Sequence, residues 1–240
     1  MVIGRHRRSA FALLAACAVL VGCSGTTAGA ATAAGRATNS AGADASDAWT
    51  PTDANPDPSS AIPGIYVGDP NLYAHRYHFA APDRVAYDRF PPVGGPHDPV
   101  WADCDGTVYT TAVRNENMVH TLEHGAVWIA YNPDTASASD LTALTSLVNR
   151  TSYLVMTPYP NLKSPISLQA WAHQLALDSA ADPRLTQFIA ALLRNPYLTP
   201  EVNATCSQPR FDIQNPPAFD PTPPGADAVP LDFTPAPATS

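Results

Sequence analysis

The sequence predicts an α+β fold, organised as a single compact domain with a small sheet and about three helices. Two observations favour this class. Short apolar runs rich in β-branched and aromatic residues are typical of strands, and they alternate with segments whose apolar residues recur every three or four positions. The domain is predicted to span residues 61–206, a length suited to one hydrophobic core. A disordered N-terminal tether and an extended Pro-rich C-terminal tail are expected to flank it.

A helix followed by a strand is predicted in the middle of the domain. The helix extends from Asn115 to His124 and ends before Gly125, because glycine is favoured just beyond a helix C-terminus. Residues 126–131 are apolar, aromatic and β-branched, which is typical of a buried strand, and Asn132-Pro133 ends it. The part of the domain before this helix is rich in Pro and Tyr and is expected to be mostly loop with short strands.

Two more helices and two more strands are predicted in the rest of the domain. Ser139-Asp140 begins a helix that ends near Arg150, and its apolar residues recur at helical spacing: Leu141, Leu144, Leu147 and Val148. Residues 153–156 and 166–171 are predicted strands. Asp182-Pro183 begins the last helix, as a capping residue followed by a first-turn proline. The apolar stripe of this helix consists of Leu185, Phe188, Ile189, Leu192 and Leu193.

The N-terminus has the pattern of a secretory signal, predicted over residues 1–22. Three arginines and no acidic residue precede an apolar run from Ser9 to Val21. This run is shorter than the roughly 20 residues that a membrane span needs. The sequence Leu20-Val-Gly-Cys23 resembles a bacterial lipobox, in which Cys23 would be acylated and become the first residue of the mature lipoprotein. An ordinary signal peptide with an incidental cysteine is the alternative.

Acylation of Cys23 would attach the protein to the bacterial cell membrane, so an extracytoplasmic location is expected. Residues 23–60 would begin with the lipidated cysteine and continue as a flexible tether, because Ser, Gly, Thr, Ala, Asp and Pro dominate them. The tail, residues 207–240, is rich in Pro and predicts an extended chain. It could contact partners in the cell envelope, or pack locally through Phe211 and Phe219.

The charge of the chain excludes two classes of partner. The full chain has a net charge of −8, and loss of residues 1–22 removes three arginines and no acid, which leaves 10 basic and 21 acidic residues and a charge of −11. Nucleic acid is therefore not expected as a partner, since its phosphates require a basic face. No glycine-rich phosphate loop supports nucleotide binding. An acidic chain also does not bind anionic lipid by charge, so acyl chains would supply the membrane attachment.

The cysteines predict one disulfide. Cys17 would leave with the signal and Cys23 would carry lipid, which leaves Cys104 and Cys206. Two thiols in an oxidising compartment most simply pair with each other. A metal-binding or redox-active cysteine pair is the alternative, although no C-x-x-C spacing favours it.

The segment from Glu116 to His124 carries the strongest signal for chemistry. At 100° per residue, four ionisable side chains fall within about 100° of arc: Glu116, His120, Glu123 and His124. Three apolar residues fall elsewhere on the helix and would face the core: Met118, Val119 and Leu122. Histidines at positions i and i+4 stack one turn apart and can reach one cation.

A third histidine is predicted to complete a metal site. His97 follows the stiff, glycine-containing sequence Pro91-Pro-Val-Gly-Gly-Pro96, which could present it to the helix. The predicted ligands of a transition metal, copper or zinc, are His97, His120 and His124, with Glu116 and Glu123 as further ligands or as their hydrogen-bonding partners. His75 and His78 are weaker candidates, because on a strand they would point to opposite faces. His173 is expected to be a partly buried polar residue.

Other interpretations of this segment remain open. His124 could satisfy carbonyls of the last helical turn and His120 could bond Glu116, which would make the segment structural. Residues 120–124 also spell H-x-x-E-H, the inverted zinc-peptidase pattern, in which Glu123 would act as general base of a metal-dependent hydrolase. A module of the cell envelope that contacts partners through the polar helix face and the tail, without metal, is the third interpretation.

Three motifs follow one another along the chain: Pro91-Pro-x-Gly-Gly-Pro-His97, Glu116-x-x-Val-His-x-Leu-Glu-His-Gly125 and Tyr131-x-Pro133. With them the chain, from about residue 73 to residue 206, resembles an uncharacterised bacterial family of secreted or membrane-attached proteins that share a domain of unknown function. Gly94 stands where a serine is expected. The resemblance supports the domain limits and the Cys104–Cys206 pair. It implies no activity, and a metal at the three predicted histidines is consistent with it.

Overall fold

A computed structural model describes residues 47–235 and confirms the α+β class. The predicted signal peptide and Cys23 lie outside this range. The described part contains three α-helices: α1 Asn115–Glu123, α2 Ala138–Val148 and α3 Arg184–Leu192. Its strands are β1 Tyr66–Val67, β2 Val85–Ala86, β3 Thr107–Val108, β4 Val127–Tyr131, β5 Leu154–Pro158, β6 Ile166–Ala170, β7 His173–Leu177 and β8 Val229–Pro230. None of the helices within residues 47–235 has both the length and the hydropathy needed to cross a bilayer.

Six strands form a mixed sheet in the order β1-β7-β6-β4-β5-β3, and β2 and β8 form a second, two-stranded sheet. The central pair, β4 and β5, is parallel, with Ile129 opposite Met156. A parallel pair needs a crossover connection, and α2 supplies it. Strands β6 and β7 run antiparallel to their neighbours. Strand β7 was not predicted, because His173 and Gln174 interrupt its apolar pattern, and His173 is buried.

Alternation along β4 places α1 on one face of the sheet. Val127 and Ile129 pack with α2 and α3 in the larger core. Trp128 points to the opposite face and packs with Met118 and Leu122 of α1. The predicted inward orientation of these two α1 residues is therefore confirmed. The disulfide between Cys104 and Cys206 is formed and lies in the same cluster as α1.

Gly125 ends α1 as predicted. Its φ of +91° is in the left-handed region, and a Cβ there would lie 2.9 Å from Oγ1 of Thr199 and 3.1 Å from Cα of Arg194. Only glycine allows this turn and this close approach. The turn directs the chain from α1 into β4 at the centre of the sheet.

The domain extends beyond its predicted limits at both ends. Trp49, placed in the tether, packs against the main core, and Asp57 caps a short 3-10 helix at Pro58–Ala61. Phe211 and Phe219 pack locally, as expected, but Leu231 is also buried, and Val229 pairs with Val85. Residues 47–60 and 207–231 therefore belong to the domain, because a few large apolar residues fix them there.

Candidate metal centre

Four side chains converge between the 74–80 segment, the loop before α1 and α1 itself. They are His78, His97, His120 and Glu123, and one potential ligand atom from each lies within 4.8 Å of all the others. The last three are buried, whereas the His78 side chain is 45% exposed. The predicted convergence of the loop histidine with the helix is therefore observed for His97, His120 and Glu123.

Backbone pairing brings His78 and His97 together. The N–H of His97 donates to the carbonyl of Tyr77 (3.0 Å), and the N–H of Phe79 donates to the carbonyl of His97 (2.7 Å). The two segments thus run parallel at this point, and the imidazole centroids lie 4.8 Å apart. The pairing joins residues about twenty positions apart, which explains why the local sequence pattern did not reveal His78.

Backbone carbonyls fix the two buried imidazoles. Nδ1 of His97 donates to the carbonyl of Gly95 (2.8 Å), and Nδ1 of His120 donates to the carbonyl of Asp98 (2.6 Å). A carbonyl oxygen can only accept, so the proton of each neutral ring is on Nδ1 and the lone pair is on Nε2. Gly95 can present its carbonyl because its φ is +102°, and a Cβ at this position would lie 2.2 Å from Leu231.

The Nε2 atoms of three rings face one oxygen of the Glu123 carboxylate. Its Oε2 lies 2.9 Å from Nε2 of His97, and 3.9 Å from Nε2 of both His120 and His78. Oxygen and lone pair are both acceptors, so a proton or a metal ion must lie between them. Ligands of a tetrahedral zinc ion are separated by about 3.3 Å, since each bond is 2.0–2.1 Å. The observed separations bracket this value.

Electrostatics favours a cation at this point. Burial lowers the pKa of His120 to about 3, and the neighbouring His97 adds to the effect, so that the His120 ring is neutral at pH 7. Burial alone would raise the pKa of Glu123, but the hydrogen bond with His97 and the charges around it bring that pKa below its ordinary value. The site therefore combines an ionised carboxylate with a neutral imidazole. This is the protonation state that a metal ion requires.

Acid is expected to destabilise the metal-free protein through His120. An unfolded histidine has a pKa of about 6.5, above the folded value of about 3, so the unfolded state binds the proton first as the pH falls. The stability that the neutral His120 provides above pH 6.5 is then lost as the pH falls towards 3. Between pH 7 and pH 5, His120 accounts for a loss of about 2 kcal/mol in the free energy of unfolding. Urea unfolding in EDTA should show that His120→Gln loses about 2 kcal/mol less than wild type over this interval. Equal losses would contradict the prediction, and His75→Gln serves as the control outside the cluster.

Two predicted ligands, Glu116 and His124, are not in the cluster. Glu116 accepts from the backbone N–H of Val85 (3.0 Å) and pairs with Arg114 (3.2 Å). Nδ1 of His124 donates to the carbonyl of Thr205 (2.8 Å), and its Nε2 lies 3.6 Å from Glu201. Both residues share the face of α1 with His120, but a helix rises about 6 Å over four residues, which carries them to other partners.

Of the three histidines predicted to share one cation, the structure therefore brings together His97 and His120 but not His124. Their ring centroids lie 4.7 Å apart, and His78 stacks on His120 at 5.1 Å. His124 touches the His120 ring at its other edge, with centroids 4.7 Å apart. His75, which was expected to point away from His78, is not among the converging side chains.

A buried ion pair supports the helix side of the site. Arg114 pairs with Asp98, whose backbone carbonyl accepts from His120. Trp101 packs against His120, and Trp171 packs edge-on against His97 with centroids 6.1 Å apart. Such partners hold imidazole rings in one orientation before a ligand arrives.

Comparison with known proteins gives a family and no activity. A family model described as "Protein of unknown function (DUF3105)" matches residues 78–208, which is more than half of the chain and includes all four converging residues. No curated protein and no solved structure matches. The match confirms the resemblance to a domain of unknown function.

Proposed function

The chain belongs to DUF3105, a family of proteins of unknown function, and we propose that it binds a divalent transition metal through His78, His97, His120 and Glu123. The observation that carries the proposal is the meeting of three imidazole Nε2 atoms at one buried carboxylate oxygen. The Nδ1 atoms of the two buried rings are held by backbone carbonyls, which is the usual arrangement of metal-binding histidines.

The donor atoms favour zinc or copper(II). Three imidazole nitrogens and one carboxylate oxygen suit these ions, whereas magnesium and calcium prefer oxygen ligands alone. Copper(I) prefers sulfur, and both Met118 and Met156 are buried in the hydrophobic cores. No cysteine Sγ joins the converging group within the described residues.

The geometry favours binding over hydrolysis. In the H-x-x-E-H pattern, His120 and His124 would share a metal while Glu123 activates water. Here Glu123 lies among the histidine nitrogens as a ligand, and His124 is bonded to Thr205 instead. The interpretation as a metal-free envelope module keeps only the tail as a contact surface, since the polar side chains of α1 are buried.

We further propose that the protein acts outside the cytoplasm, held at the cell membrane by acyl chains on Cys23. The support is the sequence of residues 1–23, which has the order of a lipoprotein signal. The Cys104–Cys206 disulfide is consistent with an oxidising compartment.

Metal titration of the full-length protein, produced without an affinity tag and stripped with a chelator, tests the proposal. We expect one zinc or one copper(II) ion per chain, with Kd below about 1 µM and copper bound more tightly than zinc. Magnesium and calcium should not compete. Absence of a stoichiometric site for both zinc and copper(II) would overturn the proposed function.

A further inference from the structure

Two cavities flank the segment that carries His78. The first is a cleft of about 480 Å³ whose apolar wall includes Val67, Pro70, Trp171, Leu198 and Pro200. The second measures about 370 Å³ and opens onto the metal centre, with His78, Glu123 and Glu201 in its wall. Ala74 and Arg76 line both. The cleft has the size and the mainly apolar lining of a small-molecule site.

The polar side chains of the cleft are already paired, with one exception. His173 faces Asp57 at 3.3 Å, and the Tyr73 hydroxyl donates to Asp88 at 2.9 Å. The Tyr197 hydroxyl donates to Asp53. These groups therefore satisfy one another, and the wall is mainly apolar apart from the Asp57 carboxylate that faces His173.

Arg76 is the exception. Its side chain is 43% exposed, and among the described residues its one polar contact is from Nη1 to Oε1 of Glu123, at a long 3.4 Å. A guanidinium has five N–H donors in a planar fork that matches a carboxylate. Arg76 can therefore receive an anion at the boundary between the cleft and the metal centre without giving up a strong bond.

The charge of the second cavity depends on the metal. Arg76 contributes one positive charge, and Glu123 and Glu201 contribute two negative charges. These three side chains therefore sum to −1, which disfavours an anion in the metal-free cavity. A divalent ion at the proposed centre changes this sum to +1, so an anion should bind more tightly after the metal.

We propose that the cleft binds a small carboxylic acid with an apolar body, whose carboxylate pairs with the Arg76 guanidinium at the boundary with the metal centre. This inference rests on the proposed metal function and names the ligand class of the same site. The apolar wall would pack against the apolar part of the ligand. The positive charges of Arg76 and of the metal would attract its carboxylate.

Calorimetric titration of the zinc-loaded, full-length protein with 3-phenylpropionate tests this inference. We expect Kd to be at least about tenfold lower than for the amide of the same acid, and at least about tenfold lower than for acetate. Protein kept in EDTA should bind the acid at least about tenfold more weakly. Arg76→Gln should remove the preference for acid over amide, and Arg76→Lys should retain part of it. Arg210→Gln, an exposed arginine outside both cavities, is the matched control.

A parallel zinc titration of every variant separates this inference from the proposed function. If zinc binds but the acid and the amide bind equally, or Arg76→Gln leaves the preference unchanged, the ligand inference is overturned and the metal site stands. If the acid binds no better than acetate, the cleft does not hold the ligand body and the inference is overturned as well. If zinc does not bind, both proposals are overturned.

Discussion

Replacement of His97 by alanine is expected to weaken zinc binding by at least about 100-fold, and His120→Ala should do the same. Each change removes a buried imidazole whose Nε2 faces Oε2 of Glu123. The neighbouring His124 cannot replace the lost nitrogen, because its own ring nitrogens face Thr205 and Glu201. Competition against a chromophoric zinc chelator measures the loss directly.

His124→Ala is the matched control for this prediction. His124 lies on the same helix, one turn from His120, and is equally buried, but its ring nitrogens face Thr205 and Glu201. We expect His124→Ala to change the zinc affinity by less than about tenfold, since His124 packs against the proposed ligand His120 without facing the ion. An equal loss in His124→Ala and His97→Ala would place the ion between His120 and His124 and contradict the proposed ligand set. Circular dichroism of each variant confirms that the fold is retained.

Removal of the disulfide is expected to have the largest effect on stability. The Cys104–Cys206 bond closes a loop of 102 residues. In the chain-entropy model, such a loop corresponds to about 4–5 kcal/mol in the free energy of unfolding. Both cysteines are buried, and Cys104→Ala/Cys206→Ala should lose up to about this amount in urea unfolding at pH 7.

Reduction of the wild-type protein provides the comparison for the double variant. Without alanine substitutions it should lose a similar amount, because the loop constraint is removed in the same way. Zinc affinity in the folded double variant should change by less than about tenfold, since backbone pairing and α1, rather than the disulfide, position His97 and His120. A loss below about 1 kcal/mol in the free energy of unfolding would contradict the predicted contribution of the disulfide.

Local patterns predicted the three helices and the strands β4, β5 and β6, because each has a clear periodicity or a clear end. The glycine at position 125 predicted the end of α1, and the helical spacing of the apolar residues predicted the inward orientation of Met118 and Leu122. Strand β7 lacked such a pattern. The tail was predicted to be extended, with local packing through Phe211 and Phe219 left open, and the structure also buries Leu231.

The candidate site was predicted in part for similar reasons. The angle around a helix axis groups Glu116, His120 and His124, but it ignores the rise along the axis, and this rise separates their partners. His97 was found because a rigid loop precedes it. His78 depends on a non-local backbone pairing with the segment of His97, which no local pattern contains.

The central claim is that one metal ion binds among His78, His97, His120 and Glu123. Anomalous diffraction from crystals of the zinc-loaded protein, collected on both sides of the zinc absorption edge, locates the ion most directly. The account predicts one strong peak about 2.0–2.1 Å from three imidazole Nε2 atoms and Oε2 of Glu123. A peak between His120 and His124, or peaks at surface residues alone, would contradict it.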